Sequence, residues 1–372
     1  MNFFNVLQQM LSVSDRVSDL IFSPGRPPQV ELLGELQPVP MPGLEKLLPA
    51  HTAALAKIII GNHQTAGDNL EKLGSADLSF SAPGFARFRV NIFMQRGSHA
   101  IVMRVIPNAP PQWSDFNLPP VLKEVAGLKN GVVLVTGPTG SGKSTTLAAL
   151  IDHANKNRKD HSVTIEDPIE FVHSNKRCLV NQREVGINTR SFKRALRAAL
   201  REDPDIVLVG EMRDLETVAI AIETAETGHL VFGTLHTSSA PSTVDRIIDQ
   251  FSADRQQQIR VMLSESLKGV ISQMLCKKIG GGRVPVLEVL IGTPPVANLI
   301  REAKIFQLPS IMQTGKRYGM CLMNESFLDL VKRKVVEPQE AYAKAVDKTG
   351  LLNMYRKNNI DVSWAPQDPS AP

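Results

Sequence analysis

"GVVLVTGPTGSGKSTTLAALIDHA", residues 131–154, decides the fold. A run of β-branched residues stops at Gly137, and a helical pattern begins at Ser144. Between them GPTGSGKST (137–145) fits G-x-x-x-x-G-K-S/T through Gly137, Gly142, Lys143 and Ser144. Strand, glycine-rich loop and helix in that order are the context that makes this pattern a phosphate-binding loop. Glycines let backbone N–H groups wrap an anion, and the helix N-terminus adds a favourable dipole. Gly137, Pro138, Thr139, Gly140, Ser141, Gly142, Lys143, Ser144 and Thr145 are therefore the expected nucleotide contacts. In such loops the lysine reaches the β- and γ-phosphates and the first hydroxyl of the helix holds Mg²⁺, so Lys143 and Ser144 take those parts. The loop predicts a nucleotide with Mg²⁺ and does not separate kinases, motors, recombinases and switches.

Further along the chain, "SVTIED", "DIVLVGE" and "HLVFGTLH" are short apolar runs rich in β-formers. Helical patterns, "SFKRALRAALRED" and "DLETVAIAIETAETG", lie among them. Apolar strands alternating with helices imply an α/β fold with a mainly parallel sheet covered on both faces. "PDIVLVGEMRD" (204–214) is four apolar residues running into an acid, the Walker-B pattern. Many phosphate-loop enzymes have aspartate where Gly210 stands, so Glu211 is left to orient water or hold metal through water. A strand-end ion pair with Arg213 is the plainer alternative. "TIEDPIEF" (164–171) delivers Glu166, Asp167 and Glu170 at another strand end, the side on which open α/β sheets bind ligands. Glu166 is thus a candidate for activating water or holding the metal shell. "TGHLVFGTLHT" (227–237) has His229 at its start and His236 at its end. His236 is expected just past the carboxyl end of the strand, able to sense the γ-phosphate or polarise water. His229 falls on the far side and reads from geometry as structural.

Residues 1–106 read as a small α+β domain. "MNFFNVLQQMLSVSD" spaces Phe3, Phe4, Leu7, Met10 and Leu11 as an amphipathic helix without the basic leader of a signal peptide. "PPQVELLGEL" (27–36) and "FARFRVNIFMQRGSHAIVMRVI" (85–106) read as strands, and "GLEKLLPAHTAALAKIII" (43–60) as helix broken or begun at Pro49. Five prolines in 107–120 mark a linker. The remainder divides into a core at 121–294 and a helical region at 295–372, where Thr293 is the expected N-cap of "TPPVANLIREAK" and "SWAPQDPSAP" a frayed tail.

Composition narrows the function. Charge is +5 with pI about 9.1, which suits anionic ligands or membrane surfaces. Aromatics at 5% and scattered basic residues argue against a nucleic-acid surface, so no nucleic-acid partner is expected. Cys178, Cys276 and Cys321 are odd in number and far apart, so they are expected as reduced thiols rather than a disulfide or zinc framework. Arg87, Arg89, Arg96 and Arg104, with Arg194, Arg197, Arg213 and Arg246, supply cations that could serve a γ-phosphate. No apolar run approaches bilayer-spanning length, so a cytoplasmic protein is expected, reaching a membrane only by docking.

Taken together, "VSDLIFSPGRPPQVELLGEL", "FRVNIFMQRG", "GPTGSGKSTTLAA", "IEDPIEF", "QREVG", "GEMRDLETVAIAIETAETGHLVFGTLHT" and "NLIRE" make the chain resemble the type IV pilus retraction motors of the PilT family of secretion ATPases. The resemblance covers nearly the whole chain. It implies a PAS-like N-terminal domain on a RecA-like P-loop core, assembled as a homohexamer, with ATP as the expected nucleotide. It implies Glu166 in the acidic box, Glu211 in the Walker B, and His229 and His236 in a histidine box near the nucleotide. It also implies an inner-membrane platform protein as partner, docking at the inner face of the cytoplasmic membrane, and possibly a second retraction-type ATPase. Extension and type II secretion motors usually carry a cysteine zinc insert, which this chain lacks. "PVANLIRE" departs from the family's A-I-R-N-L-I-R-E at Pro295, Val296 and Ala297, leaving an accessory paralogue as an alternative. A RecA-like DNA motor and a non-hydrolysing nucleotide sensor are the alternatives from other classes.

Overall fold

The computed structural model describes residues 2–366 apart from 33, 108 and 117. The end of the expected frayed tail, 367–372, lies outside the described residues. The chain divides into two compact units, residues 1–109 with 170–172, and residues 110–169 with 173–372. The helices after residue 294 thus belong to the same unit as the phosphate loop.

The first unit is α+β. Its six-stranded antiparallel sheet has the order β3-β2-β1-β6-β5-β4. The strands are β1 (Val17–Phe22), β2 (Gln29–Leu32), β3 (Glu35–Pro38), β4 (Ser75–Ala82), β5 (Ala86–Gln95) and β6 (Ser98–Ile106). Alternation builds the core: Phe88, Val90 and Ile92 of β5 are buried while Arg89 between them is exposed. Helix Phe3–Leu11 begins at Asn2, whose side chain caps Phe4 N–H, and buries Phe3, Val6, Leu7 and Met10. Pro49 is the first residue of helix Pro49–Ile60, so the expected helix starts there and not at 43.

The second unit has a seven-stranded sheet in the order β13-β12-β7-β11-β10-β8-β9. Its strands are β7 (Gly131–Thr136), β8 (His161–Glu166), β9 (Leu179–Glu184), β10 (Ile206–Val209), β11 (Leu230–Leu235), β12 (Leu267–Lys277) and β13 (Arg283–Ile291). All pairings are parallel except β12 with β13. Every residue of β7, β10 and β11 is buried, as expected for strands covered on both faces. The chain leaves β7 through helix Lys143–Asn157, works back to β11 beside it, and then crosses to β12 on its other side. The direction of strand order therefore reverses at β7, where open α/β sheets bind ligands beyond their carboxyl ends.

Side chains cap several of the helices. Ser191 accepts from Arg194 N–H before Phe192–Ala199, and Asp214 from Thr217 N–H before Leu215–Glu226. Thr293 occupies the N-cap position of Pro294–Arg301, but its hydroxyl makes no cap bond and is buried without a partner. The three cysteines are free thiols, as expected, with Cys178 and Cys276 buried. No helix among the described residues is long and apolar enough to cross a membrane.

Glu288 of β13 is 6% exposed and accepts backbone N–H bonds from Ala240 (2.7 Å) and Met323 (3.3 Å). These residues open helices Ala240–Asp249 and Met323–Lys332, so one carboxyl group serves two helix N-termini. Glu288→Ala would leave both donors buried and unpaired. We expect a loss of about 2–4 kcal/mol, read as a lower urea midpoint.

Candidate nucleotide site

The carboxyl ends of four parallel strands meet the phosphate loop. Thr136 ends β7, Glu166 ends β8, Gly210 and Glu211 follow β10, and His236 follows β11. In the loop, Gly137, Gly140 and Gly142 have φ of 142°, 77° and 86°. These are backbone conformations that side chains resist. Gly142 is the N-cap of Lys143–Asn157.

Lys143 is buried, and its Nζ donates to Gly137 O (2.8 Å) and Pro138 O (3.1 Å). Burial pushes its pKa down, and the charge of Glu211 partly restores it. The Ser141 hydroxyl is also buried, with no hydrogen-bond partner. A buried ammonium held by carbonyls and a buried unpaired hydroxyl both suit an incoming anion, so the residues present fit a polyphosphate. A cleft of about 270 Å³ flanks the loop, with Pro138–Ser141 on one wall and Lys277, Arg283 and Lys344 among the others. Ser144 is exposed in the first helical turn.

Glu211 Oε1 accepts from His236 Nε2 (2.8 Å) and pairs with Arg213 Nε. Burial raises its pKa, but the bonds from Arg213 and His236 outweigh it and hold the carboxyl below its usual range. The ion pair with Arg213 is therefore real and coexists with the contact to His236. Gly210 has a steric reason. Its N–H donates to Ile165 O (2.7 Å), and a Cβ would lie 3.0 Å from that oxygen and 3.2 Å from Glu166 Cα. Aspartate at 210 would crowd the strand carrying Glu166.

Glu166 Oε1 accepts from Thr164 Oγ1 (2.6 Å) and Gln182 Nε2 (3.0 Å). Gln182 also accepts from His173 N–H (2.8 Å), tying β9 and the loop after the acidic box to Glu166. Thr164 and Gln182 are partners of Glu166 that the motif reading did not assign. Thr164 lies two residues before Glu166, the same-face spacing of a strand, which was the one signal available.

His229 is elsewhere. It precedes β11, and its Nδ1 contacts Thr224 O (3.0 Å) at the end of Leu215–Glu226. At about 3.3 Å per residue, β11 puts it roughly 20 Å from His236. One chain does not bring the two histidines together. Of the arginines, Arg104 pairs with Asp19 (3.0 Å) and Arg197 with Glu216 (2.6 Å). Among the described residues, no group of three or more His, Cys, Asp or Glu is placed to hold a metal ion.

Comparison with known proteins follows the same line. Residues 82–314 match the family described as "Type II/IV secretion system protein". The chain is 49% identical over 334 residues to the type IV pilus retraction ATPase PilT of Pseudomonas aeruginosa, covering 90% of this chain and 96% of that one. It is 47% identical over 327 residues to a twitching motility protein of Neisseria gonorrhoeae, 87% of this chain and 86% of that one. The crystal structure of the pilus retraction motor PilT with bound ADP superposes with a TM-score of 0.87 at 44% identity, covering 95% of this chain and all of that one. The chain belongs to the type II/IV secretion family and, within it, to the pilus retraction ATPases with a RecA-like core.

His173 offers a pH test of the site's framework. It is 7% exposed, and its Nδ1 is buried without a partner. Burial pushes its pKa from 6.5 to about 4, Asp152 opposing and Lys176 assisting. The unfolded chain then binds a proton that the folded chain refuses between these values. The stability this gives is full above about pH 6.5 and is lost as pH falls toward 4. We expect a cost of about 2 kcal/mol at pH 5. His173→Phe should remove that component from the pH dependence of unfolding.

Proposed function

We propose that the chain binds ATP at 137–145 and hydrolyses it to drive retraction of a type IV pilus. The observation that carries this is the joint placement, beyond the sheet's carboxyl ends, of the phosphate loop, Glu166 and the Glu211–His236 pair. ATP hydrolysis needs a phosphate cradle, a positioned water and charge to meet the γ-phosphate. Retraction and twitching motility are carried over from the relatives.

In this reading Lys143 exchanges its carbonyl partners for β- and γ-phosphate oxygens. Glu211, held ionised, is a weak proton acceptor and a good orienter of water, with His236 Nε2 fixing its carboxylate. Glu166, held by Thr164 and Gln182, is the second carboxylate of the reaction centre. Ser144, Glu166 and Glu211 are the residues that would hold Mg²⁺, which would supply neutralisation of phosphate charge. His229 works as a cap on Leu215–Glu226, and any approach to nucleotide comes through a second copy.

The working form is proposed as a ring of six copies on the cytoplasmic side of the inner membrane. It engages the pilus platform protein, and a second retraction-type ATPase is a further partner. The domain reading is a first domain at 1–106, a linker at 107–120, a core at 121–294 and a helical region at 295–372; the break between the two units, at 109/110, falls inside that linker, and 110–120 belongs to the second unit. Nucleic acid is not a partner in this reading.

Glu211→Gln should lower kcat by about 10²–10⁴-fold and leave ADP binding nearly unchanged. His236→Ala should slow turnover more than it weakens binding, whereas Lys143→Ala should abolish both. Steady-state hydrolysis and ADP calorimetry read these outcomes, and full turnover in Glu211→Gln would overturn its role. Hydrolysis stimulated by DNA would favour the DNA-motor alternative.

A further inference from the structure

We infer that Gln273 is a positioning residue for the nucleotide, holding the phosphate loop in its binding shape from the neighbouring strand. The inference rests on the reading of 137–145 as the ATP site. Gln273 lies on β12, one residue past Ser272, which is paired with Thr136 at the end of β7. The two hydroxyls meet at 2.9 Å. Gln273 is 2% exposed.

Its side chain reaches both parts of the motif. Nε2 donates to Ser141 O within the loop at 2.7 Å. Oε1 accepts from Thr146 Oγ1, in the first turn of Lys143–Asn157, at 2.6 Å. Ser141 O can only accept, so the nitrogen must face it, which leaves the oxygen for the Thr146 hydroxyl. Ser141 and Thr146 are each 3% exposed, so water does not replace these bonds.

Two motif glycines are shaped by the same residue. A Cβ at Gly137 would overlap the backbone oxygen of Gln273, and one at Gly142 would lie 2.7 Å from Nε2. The loop therefore lies tightly against β12. A primary amide is the side chain that serves both ends. Glutamate cannot donate to Ser141 O, and methionine can serve neither partner.

The loop grips phosphates in the ground state and the transition state alike. Loss of its shape therefore removes uniform binding and raises Kd and KM with little change in kcat. This differs from Glu211, whose loss falls on kcat.

The test uses the full-length protein, ADP calorimetry and steady-state ATP hydrolysis. Gln273→Glu and Gln273→Met should raise the Kd for ADP and the KM for ATP by about tenfold or more. Saturated kcat should stay within about threefold. Thr146→Val, at the other end of the same bond, should weaken ADP binding in the same direction, and Thr146→Ser should restore it. The split between a raised Kd or KM and an unchanged kcat is the readout that a loss of stability alone would not give. If Gln273→Met fails to fold, the Thr146 pair decides. ADP binding at the wild-type Kd in folded Gln273→Met or in Thr146→Val overturns the role of Gln273. Wild-type protein that binds no ADP overturns the ATP-site reading, and this inference with it.

Discussion

The buried charge of Lys143 is the constraint around which the second unit is arranged. An ammonium removed from water is costly unless it is paired or hydrogen-bonded. Here its partners are two carbonyls of its own loop, Gly137 O and Pro138 O, with Glu211 near enough to raise its pKa. Carbonyls solvate the charge without cancelling it. The loop is therefore electropositive at its centre, and the helix dipole behind Gly142 adds to it. Stability has been spent on an anion-receptive centre, and the rest of the sheet brings carboxylates and a histidine to its border.

That border is set by register. β7 pairs with β11 from Gly131↔Leu230 to Thr136↔Leu235, so the loop after Thr136 and the turn carrying His236 leave the sheet level with each other. β10 pairs with β11 and β8 over four residues each, which brings Glu211 and Glu166 to the same edge. The bond from Thr234 Oγ1 to Gly210 O (2.5 Å) and that from Met212 N to Thr234 O (3.0 Å) extend the contact past the ladder. A slip of one residue would turn each functional side chain toward the opposite face. Parallel strands thus place these groups by counting, Gly210 leaving room for the backbone of β8 and Gly233 for the side chain of Met212. A Cβ at Gly233 would overlap Met212 Sδ.

Much of this was legible in the sequence, because the informative residues are local. The strand–loop–helix around 137–145, the apolar runs of β8, β10 and β11, and the acids and histidine at their ends each declare themselves within a dozen residues. What was not legible depends on residues far apart. β12 and β13 had no counterpart in the sequence expectations. They form an antiparallel hairpin closed by Gly280, Gly281 and Gly282, all at positive φ. Nothing local shows that β12 crosses to the free side of β7. Glu166 and Gln182 are likewise joined only by the pairing of β8 with β9, sixteen residues apart in sequence.

The two ends of β11 show how far spacing alone can carry an argument. His229 and His236 are alike in type and flank one buried strand, so a motif treats them as a pair. The sheet treats them differently, since only one end of a parallel strand faces the ligand. At the amino end His229 meets the last carbonyls of a helix, which need a partner whatever the protein does. At the carboxyl end His236 meets an ionised carboxylate, which also pairs with Arg213. The 47% exposed ring of His236, beside Glu211 at 19%, leaves room for a ligand to share the contact. The position along the strand, more than the residue type, is what separates a helix-capping contact from one at the ligand-binding edge.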